Sequence, residues 1–117
     1  MMAVVRSANP RLSRRSDFTT VMRHGRRSRS RLLRLAAHEN GLHRNRYGFA
    51  ISRRVGNAVV RNKARRRLRA IIRQTALTPG NDIVITADPL VENASYQELT
   101  AAFETIARKL SLIDGSQ

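Results

Sequence analysis

The chain has 117 residues, of which 41% are hydrophobic, and it carries a formal net charge of +15. This length favours one domain with a modest core, and the lack of cysteine excludes a disulfide framework and cysteine-based zinc sites. No apolar run approaches the roughly 20 residues that a membrane-spanning helix needs, and the first residues lack a signal-type apolar segment. We therefore expect a cytoplasmic protein with a single domain, residues 1–117.

The charge is distributed unevenly along the chain. Residues 1–73 contain 21 of the 23 Lys and Arg residues and only two acids, whereas residues 74–117 have a net charge of −4. The acidic half also contains strong strand and helix patterns, which are not typical of a disordered tail. The sequence therefore indicates one folded domain with a basic face and a neutral or acidic back.

The amino-terminal third is predicted to contain an arm, a short helix and a strand region. Residues 1–12 are typical of an extended basic arm that can be flexible. Ser16 or Asp17 is a suitable cap for the helix, which Gly25 would end. The apolar side of this helix would consist of Phe18, Val21 and Met22. Residues 26–38 then resemble a strand region, because apolar residues dominate their second half.

A second strand is predicted at residues 47–52, where large and small side chains alternate. The large side chains are Tyr47, Phe49 and Ile51, and the small ones between them are Gly48, Ala50 and Ser52. Alternation with a period of two places the small residues on one face of the sheet. Such a face leaves room for another molecule to lie against it.

An amphipathic helix is predicted from about residue 58 to residue 75, with Asn57 as its cap. At 100° per residue, one arc contains Val60, Ala64, Leu68, Ile71 and Ile72. The rest of the surface contains Asn62, Lys63, Arg65, Arg66, Arg69 and Arg73. We therefore expect the apolar stripe to face the core and the cations to face outward.

The carboxy-terminal third is predicted to contain a strand and a helix. The apolar run at residues 82–87 is typical of a strand covered on both faces. Ser95 and Glu98 form a capping box at the start of the last helix. The core side of that helix would consist of Leu99, Phe103, Ile106, Leu110 and Ile113. Strands alternating with helices from residue 47 onward favour an α/β or α+β sandwich.

The main helix cannot neutralise its own charge. Residues 56–73 contain seven cations and no acid, whereas a helix stabilised by ion pairs would have Glu or Asp three or four residues from its cations. A polyphosphate chain is the natural counter-charge, and an unspecific solvated face is the weaker alternative. The strong excess of Arg over Lys favours folded RNA, because the planar guanidinium binds phosphate edges and stacks on bases.

The residues around this helix resemble those of a known family. The segment Ser52-Arg53-Arg54-Val55-Gly56-Asn57-Ala58-Val59, followed by Arg61-Asn62-Lys63, is similar to the signature of the bacterial ribonuclease P protein subunit. The resemblance spans most of residues 11–112. Two departures stand out: Lys63 occupies a position where the family usually has Arg, and Met22 and Ala36 occupy positions where many members have aromatic residues.

The resemblance implies a fold and a set of contacts. The fold would be α+β, a two-layer sandwich with a mixed sheet of about four strands, three helices and an unusual left-handed βαβ crossover. The implied RNA-binding residues are Arg53, Arg54, Arg61, Asn62, Lys63, Arg65, Arg66 and Arg69. A cleft between the first helix and the sheet would accept the single-stranded leader of precursor tRNA, lined by Phe18, Met22, Ala36, Ala50 and Ser52. Phe18 is equally compatible with packing in the core.

The implied activity is endonucleolytic removal of 5′ leaders from precursor tRNA by a complex of one protein with one catalytic RNA. We expect no catalytic side chain and no metal site in the protein, because its acids are scattered and His24, His38 and His43 form no recognisable pair. Mg²⁺ would belong mainly to the RNA. Two alternatives remain: a ribosomal or chaperone-type RNA-binding protein without a role in cleavage, and a DNA-binding regulator whose basic helix enters a major groove.

Overall fold

A computed structural model describes residues 11, 12 and 14–113 of the chain. Most of the predicted basic arm, residues 1–10, lies outside the described residues. The described part contains four strands and three helices: α1 (Arg15–His24), β1 (Arg26–Arg29), β2 (Leu33–Glu39), β3 (Arg46–Ala50), α2 (Ala58–Gln74), β4 (Asn81–Ala87) and α3 (Tyr96–Lys109). A 3₁₀ turn at Pro89–Asn93 precedes α3. None of these helices is both long enough and apolar enough to cross a bilayer.

The start of α1 differs from the prediction that Ser16 or Asp17 caps it. The helix begins at Arg15, and Arg14 at the cap position makes no side-chain hydrogen bond to the first turn. Asp17 instead lies within the first turn, where its charge is favourable toward the helix dipole. The predicted end is confirmed, since Gly25 closes the helix by donating its N–H to the Val21 carbonyl.

The strand region predicted at residues 26–38 is a hairpin of two strands, β1 and β2. Ser30 stabilises the connection between them, because its hydroxyl accepts hydrogen bonds from the N–H groups of Leu32 and Leu33. β1 has the sequence Arg-Arg-Ser-Arg. It therefore lacks the apolar alternation that identifies a strand from sequence, and it forms by pairing with β2.

The four strands form one mixed sheet in the order β1-β2-β4-β3. β2 is antiparallel to both β1 and β4, whereas β3 is parallel to β4. Helix α2 connects this parallel pair, as a crossover connection must in a parallel unit. The mixed four-stranded α+β architecture predicted above is confirmed, and the left-handed sense of the crossover stays a prediction.

The larger core lies on one face of the sheet, where α2 and α3 pack. From the sheet it receives Leu33, Leu35, Ala37, Ile83 and Ile85, and from the helices it receives Leu68, Ile71, Leu99, Phe103 and Ile106, all of them almost fully buried. Burial of each such Leu, Ile or Phe side chain contributes about 1.5–3 kcal/mol. The apolar stripes predicted for both helices are therefore confirmed as the core-facing sides, except at the end of α3. That helix ends at Lys109, so Leu110 is its cap, and Ile113 lies beyond it in a bridge with Leu77.

Two caps position these helices as the sequence predicts. The Asn57 side chain accepts a hydrogen bond from the N–H of Val60 at the start of α2. At the start of α3, the Ser95 hydroxyl accepts from the Glu98 N–H and the Glu98 carboxylate accepts from the Ser95 N–H. Each cap satisfies backbone donors that would otherwise have no partner.

The smaller core lies on the opposite face, beneath α1. It consists of Leu12, Val21, Ala36 and Val84, with Phe18 packed against it. Because α1 is short and packs mainly over β2 and β4, the rest of this face stays open. The open part of the sheet and the outer surface of α2 are the two features that concern function.

Candidate RNA interface

The outer surface of α2 and the loop before it present the predicted cationic residues. Arg53, Arg54, Asn62, Lys63 and Arg66 are exposed, whereas Arg61, Arg65 and Arg69 are half-buried. Within the helix, Asn62 accepts a hydrogen bond from Arg65 at 2.9 Å, which orients that guanidinium along the surface. Arg67 faces the other way and donates to the Ala94 carbonyl, so it belongs to the packing between α2 and the end of the 3₁₀ turn that precedes α3.

These cations have no carboxylate partners. In the part of the chain that the structure describes, both ion pairs are formed by Arg46 on β3, one with Asp17 and one with Asp82. The acids of the carboxy-terminal half therefore do not neutralise the surface of α2. An anion from another molecule is required to compensate its charge, and repeated cations along a helix suit a chain of phosphates.

Arg69 shows how strongly the positive charges are concentrated. Its guanidinium lies 5.7 Å from the centre of the Phe49 ring, in a cation–π arrangement. Burial lowers the pKa of Arg69, and the nearby charges of Arg11, Arg65 and Arg73 lower it further. Arg69 and Arg65 line a cavity of about 420 Å³ between α2, β3 and the segment at Arg11.

Phe18 lies at this cavity, above Gly48 of the β3 strand. A methyl group added at Gly48 would overlap Cζ of the Phe18 ring and would also lie only 2.8 Å from Cε2. The glycine therefore provides the space that the ring occupies. Phe18 packs against the smaller core and also lines this cavity. Its packing in the core is therefore confirmed, whereas its contact with the leader stays a prediction.

A second cavity, the cleft, lies between α1 and the open part of the sheet and has a volume of about 310 Å³. Its lining residues are Met22, Arg27, Ser28, Arg29, Arg34, Leu35, Ala36, Val84 and Thr86. Met22, 41% exposed, forms the α1 side, and Ala36 is part of the buried floor. A cleft between the first helix and the sheet is therefore present, and two of the predicted residues, Met22 and Ala36, line it.

The other predicted cleft residues lie around this cavity and not in it. Ala50 is exposed and pairs with Thr86 in the sheet, so it continues the same face beyond the cleft. Ser52 lies in the loop before α2, where its hydroxyl accepts a hydrogen bond from the Arg54 N–H. The structure thus brings Met22 and Ala36 together, places Ala50 next to them and separates Ser52 from them.

Three arginines of the cleft were missed by sequence reasoning. Arg27 and Arg29 belong to β1, and Arg34 belongs to β2. The alternation of Arg26, Arg27, Ser28 and Arg29 was the available signal, because it places Arg27 and Arg29 on one face once the hairpin is recognised. Arg26 lies on the other face, where it donates to the Leu110 carbonyl of the α3 end.

A part-buried ionic network joins α1 to the sheet. Arg46 donates two hydrogen bonds to Asp82, at 2.8 and 2.6 Å, and Asn40 donates a third at 2.9 Å. Arg46 also lies 3.7 Å from Asp17 of α1. Burial alone would raise the pKa of Asp82, but the hydrogen bonds from Arg46 and Asn40 outweigh it, and the net pKa is below its ordinary value.

A small α+β domain with an uncompensated cationic helix on one face of its sheet and an open cleft on the other is typical of a nucleic-acid-binding protein. Comparison with known proteins identifies which one. A family model described as Ribonuclease P matches residues 7–111. The chain therefore belongs to the ribonuclease P protein family. Members of this family are the protein component of the endoribonuclease that matures the 5′ ends of tRNA.

Relatives of the same name support this assignment. The ribonuclease P protein component of Acidothermus cellulolyticus is 39% identical over 111 residues, covering 92% of this chain and 92% of the relative. That of Alkaliphilus metalliredigens is 33% identical over 108 residues, covering 91% of this chain and 97% of the relative. The resemblance predicted from residues 52–63 is therefore confirmed.

Solved structures agree in fold. The RNase P protein of Staphylococcus aureus matches with a TM-score of 0.80 at 20% identity, covering 89% of this chain and 97% of that chain. The protein from Thermotoga maritima matches with a TM-score of 0.76 at 24% identity, covering 90% of this chain and 98% of that chain. At these identities the likeness concerns the fold alone.

Proposed function

We propose that this chain binds the catalytic RNA of ribonuclease P through the outer surface of α2 and guides the 5′ leader of precursor tRNA into the cleft. The contacting residues are Arg53, Arg54, Arg61, Asn62, Lys63, Arg65, Arg66 and Arg69. The observation that carries the proposal is the lack of carboxylate partners for these cations within residues 14–113. The complex would form in the cytoplasm from one protein and one RNA.

In this proposal the RNA supplies the catalytic groups. Among the described residues, no three side chains of His, Asp or Glu come together as a metal site requires. Mg²⁺, as the family resemblance implies, would be held mainly by phosphate oxygens of the RNA and would supply Lewis-acid chemistry there. The positive charge of the protein lowers the repulsion between the two RNA molecules. Its cleft holds the leader away from the tRNA body.

Reconstitution tests the proposal. The protein is mixed with a bacterial catalytic RNA at low Mg²⁺, and leader removal from precursor tRNA is measured with and without protein. We expect cleavage to depend on the protein, and the complex to bind precursor more tightly than mature tRNA. A ribosomal or chaperone-type protein would bind both forms equally, and a DNA-binding regulator would release RNA when duplex DNA is added at comparable concentration.

A further inference from the structure

The β1–β2 hairpin forms one wall of the cleft, and that wall is cationic. Arg27, Arg29 and Arg34 all line the cavity, and all three are exposed. None of the three forms an ion pair within the part of the chain that is described. The lining contains no acidic residue, so the wall presents three guanidinium groups without an internal counter-charge.

The register of the hairpin makes this arrangement unfavourable in the protein alone. Arg29 lies directly opposite Arg34 in the antiparallel pair, and like charges at such positions destabilise a sheet. Arg27 lies two residues from Arg29 on the same face, about 7 Å away along the strand. A bound polyanion would remove the repulsion, since neighbouring guanidinium groups can share its phosphates.

The described lining of the cleft also lacks aromatic side chains on which the bases of a single strand could stack. Proteins that bind single-stranded nucleic acid commonly stack bases on aromatic side chains, but no lining residue of the cleft is aromatic. The nearby ring of Phe18 lies above Gly48, in the neighbouring cavity. The floor residues Ala36 and Val84 offer no hydrogen bond to a base edge, and the hydroxyls of Ser28 and Thr86 are the only uncharged polar side-chain groups of the described lining.

We propose that Arg27, Arg29 and Arg34 hold the leader by its phosphates, so that this cleft accepts single-stranded RNA with little regard to base sequence. The inference rests on the proposed function, because it assumes that the leader enters the cleft. It assigns the hairpin as a positioning element for substrate, separate from the α2 surface that faces the catalytic RNA.

The test uses the reconstituted complex and precursor tRNA with altered leaders. One series replaces the leader bases with all-A or all-U sequence, and another replaces the leader phosphates with neutral methylphosphonates. We expect base replacement to change Kd by less than about twofold and neutral linkages to weaken binding about tenfold, as suits the loss of two or three phosphate contacts. A larger effect of bases than of phosphates overturns the proposal.

Variants of the protein complete the test. R27A/R29A/R34A should weaken precursor binding about tenfold, leave mature tRNA unaffected and reduce the slope of log affinity against log salt by about 2. R27K/R29K/R34K should retain most of the affinity. R27Q/R29Q/R34Q, which keeps long polar side chains without charge, should lose affinity as the alanine variant does, and it serves as the readout if the alanine variant does not fold. R108A/K109A removes two charges at the carboxy-terminal end of α3, on the face of the sheet opposite to the cleft. It controls for the loss of net charge alone.

The outcomes separate the two proposals. If the wild-type complex binds precursor and mature tRNA equally, the leader does not use the cleft and both proposals are wrong. If the wild-type complex prefers precursor and R27A/R29A/R34A keeps that preference with an unchanged salt slope, only the role of the hairpin is wrong.

Discussion

Phe18 of α1 occupies the space directly above Gly48 of β3, and this pair fixes the height of the helix over the sheet. We expect Gly48→Ala to destabilise the protein by about 1–3 kcal/mol, because the added methyl group overpacks against the ring. Chemical denaturation measures the effect. In a double-mutant cycle, Phe18→Ala should relieve much of the cost of Gly48→Ala, and simple additivity would contradict the proposed contact.

Asp82 should make stability depend on acid pH. An aspartate whose pKa is lower in the folded than in the unfolded protein contributes stability above its unfolded pKa, near 4, and loses it as pH falls through the folded pKa. The pKa of Asp82 is lowered in this way. We therefore expect the free energy of unfolding to decrease below about pH 4.

Asp82→Asn should flatten that acid decrease and cost about 1–3 kcal/mol at neutral pH, since it leaves the part-buried Arg46 without its main partner. Denaturant titrations between about pH 3 and pH 7 measure both effects. Glu39→Gln, on the exposed end of β2, is the matched control. An acid response that is equal in the two variants would exclude Asp82 as its source.

The exposed cations of α2 should contribute to the affinity for RNA but not to the stability of the fold. We expect K63A/R66A to weaken binding to the catalytic RNA and to reduce the slope of log affinity against log salt by about 1.4–1.8. Its Tm should match that of the wild type, because neither side chain is buried. R108A/K109A removes the same number of charges elsewhere, and an equal loss of affinity there would mean that only net charge matters.

The RNA-free protein should be more stable at high salt, because salt screens the repulsion between Arg69 and its neighbouring cations. Its neighbours Arg11, Arg65 and Arg73 repel it, and raising NaCl from about 0.1 M to about 1 M shortens the Debye length from about 10 Å to about 3 Å. We expect Tm to rise by roughly 4 °C, equivalent to about 1 kcal/mol. Arg69→Met should reduce this gain, whereas Arg44→Met, in an exposed loop, should not.

A photo-crosslinker at Met22 tests where the leader lies. Met22 is exposed at the α1 side of the cleft, so we expect crosslinks in the complex to map to the leader of precursor tRNA. A crosslinker at Leu90, which is also exposed but lies beyond β4, provides the comparison. Crosslinks from Met22 to mature tRNA alone would show that the leader takes another route.

The sequence predicts the parts of this protein whose pattern is local. The buried stripe of α2, its Asn57 cap and the Ser95–Glu98 box follow from helical spacing and capping chemistry within a few residues. The outward direction of the α2 cations follows from the same spacing. These features need no information from distant parts of the chain.

The remainder depends on long-range pairing. β1 has no apolar residue, so only its partner β2 makes it a strand, and Arg27 and Arg29 reach the cleft only through that pairing. The position of Phe18 depends on Gly48, which lies on another element. The location of the cleft was predicted from the family resemblance. Its arginine wall could not be predicted from local patterns, because it depends on the pairing of β1 with β2.

The central position of β4 has a consequence for biosynthesis. β4 is the last strand to leave the ribosome, yet it separates β2 from β3 and pairs with both. A nascent chain that has exposed α2 but not β4 presents many arginines on a helix without a sheet to pack against. We expect such a chain to attract RNA nonspecifically, and rapid translation through residues 74–87 would shorten that exposure.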